Sequence, residues 1–343
     1  MEFDVKTSAD SWENIAQMAR DMEGLGASGL LFTEAGQTPW MMMTAAAMAA
    51  PSLDLSTGIA VAFPRSPMVT AQIAWELAGN TKGKFRLGLG SQVKPHIERR
   101  YGVAFDKPAM RMRDYMLAVR ACFTAFRGEA RLEHDGPFYK LNLLTPHWAP
   151  ARHDFEDIKL DMSAVNPLML KVAGEVADGV HVHPMHSIPY IENRLIPQVS
   201  EGAAKAGRSL EDIDLIIPVL AVPGDTPEER AALEREAKAA IGFYGSTPVY
   251  AFQFDDLGYE GKRQELAEKL RAGDRDGMID LVSDEMLNQF GLSARWDDMA
   301  DQLIARYKGV ASRVVMYFAL QSIATNPANR DKWAEIARAV RAA

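Results

Sequence analysis

Short apolar strands alternate with amphipathic helical patterns along almost the whole chain, and this rhythm restricts the fold more than any other feature. Residues 3–6, 29–33, 55–61 and 85–89 read as strands, and 11–23, 40–50, 69–77 and 112–126 as helices. Residues 128–157, rich in Pro, His and aromatics, look like an excursion rather than a regular crossover. The rhythm then returns, with strands at 158–163, 179–183 and 213–222 and helices at 167–177 and 190–206. Pro167 stands at a favourable first helical position. Thr226-Pro227-Glu228-Glu229 is a capping box that opens a helix through Ala240. A mostly helical stretch follows over 243–288, then a final strand at 313–318 and a final helix at 332–342. Strand-then-helix alternation predicts a parallel sheet covered by helices. Eight strands in 343 residues point to a (β/α)8 TIM-type barrel, one domain over residues 1–343, with a helical insertion over 224–290 before the last strand. An open doubly wound sheet is the alternative.

The strand at 85–89 opens through Gly88 and Gly90 into Ser91, Gln92, Val93, Lys94, His96, Arg99 and Arg100. Glycines at the exit of a buried strand let a ligand approach the backbone, and cations just beyond can hold an anion. Barrel strands end in site loops of this kind. The run lacks the third glycine of the dinucleotide fingerprint, which disfavours classical NAD binding.

The net charge of −8 argues against nucleic acid as the main partner. The single cysteine, Cys122, lies in a helical pattern and reads as a small buried hydrophobe rather than a nucleophile. The N-terminus shows no signal pattern and no apolar run approaches spanning length, so a cytoplasmic protein without a membrane partner is expected.

Several separated blocks, in order, carry a likeness: residues 55–67, 85–102, Ala164-Val165-Asn166-Pro167, 172–184, and Phe243-Tyr244-Gly245-Ser246-Thr247-Pro248-Val249-Tyr250. On these the chain resembles the bacterial luciferase-like oxidoreductases, and within them the group that uses the deazaflavin coenzyme F-420. The resemblance implies an oxidoreductase that transfers a hydride to or from a small organic substrate, using F-420 (an 8-hydroxy-5-deazaflavin), and working as a homo-oligomer, a dimer in this family. Use of FMN by a monooxygenase, and a non-catalytic flavin-binding protein, are the alternatives. The cofactor ring would lie across the C-terminal strand ends, against Gly58, Ile59 and Ala60, with a cis peptide mapping to Gly58–Ile59, and against Gly90, Ser91, Gln92 and Val93. Its phosphate has two candidate contacts. One is the helix start at Ala164, Val165 and Asn166, where free backbone N–H groups cradle anions. The other is the basic set Lys94, Arg99 and Arg100, arginine gripping phosphate with a planar fork.

Working residues are expected in the loop after the second strand. Where many relatives carry histidine and aspartate, this chain has Gln37 and Thr38; Gln37 is a catalytic-site candidate that can hydrogen-bond a ring edge or a carbonyl but does not shuttle protons near neutral pH. Glu34 is the candidate acid or base, with a salt-bridged carboxylate as its bland alternative, and Trp40 a stacking wall. Met41, Met42, Met43 and Met48 fit either a soft pocket wall or plain core. His181 and His183, two apart on a strand, face the same side. Two ligands are too few for a metal site, so no metal is expected, and His181 is a proton-relay candidate while His183 and Tyr244 are substrate-pocket candidates.

Overall fold

A computed structural model describes all residues, 1–343. Its principal sheet contains eight strands in chain order: β1 Glu2–Lys6, β2 Gly29–Phe32, β3 Asp54–Thr57 continuing in Ala60–Val61, β4 Phe85–Gly90, β5 Lys159–Ser163, β6 Gly179–His181, β7 Asp214–Val219 and β8 Arg313–Met316. Each is the short apolar run that the alternation predicts, and several are buried along their whole length, as parallel strands with both faces covered must be. The strand order is β3-β2-β1-β8-β7-β6-β5-β4, and β3 also pairs with β4, so the order closes on itself. This is the topology of a TIM-type (β/α)8 barrel, as the sequence implied.

The chain falls into two compact units. One comprises Thr7–His181 and Gln198–Leu215. Within it β2 to β6 pair in parallel register, Leu31 beside Ser56, Ala60 beside Leu89, Gly88 beside Asp161 and Ser163 beside His181. Helices Trp12–Leu25, Pro39–Ala49, Pro67–Asn80, Pro108–Phe126 and Pro167–Val176 belong to it. The first is closed by a Ser11 side chain accepting from Asn14 N–H and by Gly26 in the left-handed conformation, φ 92°, two residues later than the expected end at Gly24. The 128–157 excursion contains a small antiparallel pair, His134–Asp135 with Lys140–Leu141, absent from the sequence reading. Buried Asp114 ties it down: its carboxylate accepts from the Phe138 and Tyr139 N–H groups and lies 2.8 Å from His134 Nε2. Cys122 is fully buried and its thiol pushed up to about 12 by burial, so it packs as a hydrophobe.

The other unit comprises Met1–Lys6, Val182–Pro197 and Ile216–Ala343. Here β8 pairs in parallel with β1 and with β7. The strand expected over 213–222 divides: after Val219 a second short strand, Ala221–Pro223, pairs with Leu292–Ala294. Thr226 caps the following helix by accepting from Glu229 N–H, and that helix runs Pro227–Gly245, beyond the expected Ala240. The insertion has its own core, in which Phe254, Leu266, Met278, Met286, Leu287 and Phe290 pack on Leu220 and Val222. A helix the sequence reading lacked, Trp296–Tyr307, precedes β8. No helix is long and apolar enough to cross a membrane.

Candidate active site

The peptide Gly58–Ile59 is cis, at the break between the two halves of β3, where the resemblance placed it. A Cβ on Gly58 would lie 2.4 Å from the Leu31 side chain. Beside this break stands Glu34, just beyond β2. Its Oε2 accepts from the Val61 N–H at 2.8 Å, and both oxygens are gripped by Arg65, at 2.6 and 2.8 Å. Both carboxylate oxygens are therefore engaged, which is the salt-bridged alternative rather than an open acid or base. Arg65 also donates to the Val61 carbonyl and lies 5.6 Å from the centre of the Trp40 ring. Trp40 is buried, and its indole N–H has no hydrogen-bond partner. Gln37 is exposed on the same loop. Of the four methionines, Met42 and Met43 are core, whereas Met41 and Met48 face solvent at 57 % and 84 % exposure.

The glycines of β4 let neighbouring protein groups approach the strand closely. A Cβ on Gly88 would lie 2.0 Å from the Thr57 carbonyl oxygen and 2.4 Å from His181 Nε2. One on Gly90 would lie 2.5 Å from Ser163 Oγ and 2.8 Å from Ile59. The missing side chains make room for protein neighbours, above all the His181 ring. Alternation places Arg86 on the same strand face as Gly88. Arg86 forms a two-pronged pair with fully buried Asp161, at 2.8 and 2.9 Å, and reaches Asp214 at 2.8 Å. Burial alone would raise Asp161. The His181 imidazole and the Arg86 charge outweigh it and hold the carboxyl well below its ordinary range. His181 Nε2 stands 3.7 Å from Asp161 and is buried without a hydrogen-bond partner.

Beyond Gly90 the loop turns at Gln92, φ 55°, and Pro95 leads into one wide π-type turn over His96–Arg100. Lys94 is 3.8 Å from Glu98, and the Arg100 guanidinium donates to the Ala35 carbonyl, which ties this loop to the one carrying Glu34. Arg99 is exposed and has no ion-pair partner, unlike Arg65, Arg86, Arg113 and Arg120 of the same unit. Ala164 and Val165 lead to Asn166, the N-cap of helix Pro167–Val176, whose side chain makes no capping bond, so it does not compete for the first N–H groups.

The other unit brings the two expected pocket residues together. His183 meets the Tyr244 ring edge-on at 4.8 Å and lies tilted over Tyr250 at 4.2 Å. Burial pushes His183 down to about 4 and His186 to about 3, and the latter contacts Tyr307 Oη at 3.2 Å. No group of three His, Cys, Asp or Glu side chains is arranged to hold a metal ion. Arg65 and the Arg86–Asp161 pair were absent from the sequence-based site. Their signal was a lone charge inside an apolar strand, Arg86 between Phe85 and Leu87 and Asp161 between Leu160 and Met162.

Comparison with known proteins places these features in a family. A model of the luciferase-like monooxygenase family matches residues 2–313. The chain belongs to that family. It is accordingly an oxidoreductase of the F-420- or FMN-dependent kind. An uncharacterized protein of Mycobacterium tuberculosis is 34 % identical over 303 residues, covering 88 % of this chain and 89 % of its own. The 5,10-methylenetetrahydromethanopterin reductase of Methanopyrus kandleri is 26 % identical over 289 residues, 80 % of this chain and 79 % of its own. The solved structure of the coenzyme F-420-dependent tetrahydromethanopterin reductase of that organism has the same fold, with a TM-score of 0.79 at 22 % identity over 99 % of this chain and 98 % of that one. A Streptomyces bottropensis monooxygenase shares it at a TM-score of 0.67 and 16 % identity, over 98 % and 97 %.

Proposed function

We propose that this chain is a coenzyme F-420-dependent oxidoreductase that moves a hydride to or from a small organic substrate. The observation that carries the reading is the unpaired, exposed Arg99 on the β4 exit loop, in a unit whose other strand-end arginine, Arg65, is spent on a carboxylate. An exposed guanidinium at the C-terminal end of a barrel strand suits an anionic cofactor tail. Lys94, Arg100 and the helix start at Ala164, Val165 and Asn166 are the further candidates for that tail. Support comes from relatives: besides the methanopterin reductase, a Mycobacterium tuberculosis protein named as a putative coenzyme F-420-dependent oxidoreductase is 26 % identical over 278 residues.

The residues fit such a group. Trp40 Nε1 is a buried polar atom that lacks a partner, and a ring bearing carbonyls and nitrogens would provide one. The bound deazaflavin would supply the two-electron hydride chemistry. The chain would do the rest: Gly58, Ile59, Ala60 and the Gly90–Val93 backbone back the ring, and Glu34, through Arg65, holds that wall and the Trp40 face in place. His181, whose Nε2 faces Asp161 at 3.7 Å, is the proton-relay candidate behind this wall. In the other unit, His183 and Tyr244 remain the substrate-pocket candidates. The exposed Met41 and Met48, on a helix that is apolar all round, suit burial against a second copy of the chain in a homo-oligomer. Replacing Arg99 and Arg100 by alanine should weaken F-420 binding about tenfold or more while leaving the substrate KM near wild type, measured by cofactor fluorescence and steady-state kinetics. Unchanged cofactor affinity would remove both from the tail site.

A further inference from the structure

In the insertion-bearing unit the short loop 182–186, just beyond β6, is held by hydrogen bonds from three directions. The His186 ring lies between the His183 carbonyl, 2.9 Å from its Nδ1, and the Tyr307 hydroxyl, 3.2 Å from its Nε2. Gln253, fully buried in the insertion, donates its side-chain amide to the Met185 carbonyl at 2.7 Å. The Met185 N–H in turn donates to His183 Nδ1 at 3.1 Å. All of these residues belong to the one unit.

This wiring decides which nitrogen of His183 carries the proton. The Met185 carbonyl oxygen is 3.4 Å from Nδ1 and already accepts the shorter bond from Gln253, so Nδ1 accepts from the Met185 N–H. In a neutral imidazole whose Nδ1 accepts, the proton stands on Nε2. Burial keeps this ring neutral by pushing it down to about 4. Nε2 has no hydrogen-bond partner in the chain, and the hydroxyls of Tyr244 and Tyr250, whose rings pack on His183, have none either. All three rings are half-buried, and Phe243 and Val249 beside the tyrosines in sequence expose 55 % and 44 % of their surface. The result is a directed N–H donor and two uncommitted hydroxyls in aromatic, apolar surroundings.

We propose that the His183 Nε2–H is a fixed hydrogen-bond donor to the carbonyl oxygen of an uncharged, largely apolar substrate, flanked by Tyr244 and Tyr250, and that Gln253 is the positioning residue that fixes its tautomer. The proposal rests on the reading of His183 and Tyr244 as substrate-pocket residues. The sense of the donor matters, because an Nε2 without its proton would set a lone pair against the carbonyl oxygen. A substrate analogue without that oxygen leaves the N–H unpaired and is disfavoured. A carboxylate loses hydration on entry and gains no opposite charge from the neutral ring. Gln253 touches no substrate; it acts by occupying the Met185 carbonyl, the acceptor that would otherwise compete for a proton on Nδ1.

Histidine 15N NMR of the cofactor-free protein near neutral pH reads the tautomer directly. Subtracting the spectrum of His183→Phe identifies the His183 signals among those of the seven histidines. His183→Asn serves the same subtraction if the phenylalanine variant does not fold. The wild type should show a protonated Nε2 and a bare Nδ1, and Gln253→Leu should move part of that proton to Nδ1. Acetophenone should shift the Nε2 signal, whereas ethylbenzene, which lacks the oxygen, and benzoate, which is charged, should leave it in place. With F-420 and acetophenone as reactants, His183→Phe should raise the acetophenone KM about tenfold with F-420 affinity unchanged. A wild-type His183 protonated on Nδ1, or an Nε2 signal that acetophenone moves no more than ethylbenzene does, overturns the donor role. A tautomer unchanged in Gln253→Leu overturns the positioning role alone. Acetophenone that perturbs neither His183 nor the ring signals of Tyr244 overturns the pocket reading, and the donor role with it. Failure of the wild type to bind F-420, with the Nε2 response intact, overturns the cofactor reading and leaves this subsite standing.

Discussion

Charge is handled in opposite ways in the two units. In the unit of β2 to β6, buried charge is neutralised by pairing: Glu34 with Arg65, and Asp161 with Arg86, which also reaches Asp214. Pairing fixes protonation, since each partner stabilises the other's charged form; Asp161 is lowered and Arg86 raised. In the other unit the titratable groups of the candidate pocket are shifted chiefly by burial, so His183 falls while Tyr244 and Tyr250 rise. Paired charges are held charged in a rigid frame; desolvated groups such as His183 and Tyr250 are held neutral.

The sharpest way to break that comparison is to unpair the first region. Asp161→Asn leaves the Arg86 guanidinium short of its buried partner and should cost about 3–5 kcal/mol in chemical denaturation. A cost below about 1 kcal/mol, the usual yield of an exposed pair, would show that the frame is not one. Glu34→Gln comes next. Losing the charge that Arg65 and the Val61 N–H share should cost about 1.5–3 kcal/mol and lower turnover together with stability. A variant that loses turnover at full stability would restore Glu34 as an acid or base.

The acid response of the second region is a separate test, spread over several pH units. His183 and His186 stay neutral in the native state down to about 4 and 3, whereas in the unfolded chain they protonate near pH ~6.5. Their folded values are lowered, so stability is complete above about 6.5 and is lost as pH falls from there toward the folded values. The slope should approach about 1.4 kcal/mol per pH unit for each histidine. Asp161 adds its own loss only below the ordinary carboxyl range, near pH ~3.9. Urea midpoints that stay level between pH 7 and 5 would contradict the burial of both histidines.

How much of this was legible in the sequence differs by level. Strand–helix periodicity revealed the eight-strand barrel, because parallel strands buried on both faces leave unmistakable apolar runs such as Gly29–Phe32. It missed Leu292–Ala294, which is too short to show a period, and helix Trp296–Tyr307 beside it. At the site, Gly88 and His181 were each singled out, yet their mutual fit was invisible, since it depends on how neighbouring strands pack. Glu34 was singled out without Arg65, thirty-one positions away and joined to it only through the break in β3. His183 was singled out without Gln253, which reaches its loop from sixty-eight positions beyond Met185.

The central claim concerns the cofactor, and a parallel titration of the purified protein with F-420 and with FMN, each followed by its own fluorescence, addresses it most directly. We expect F-420 to bind at least about tenfold more tightly, a difference of about 1.4 kcal/mol. Equal affinity, or tighter binding of FMN, would contradict the account and favour a flavin-dependent monooxygenase on the same fold.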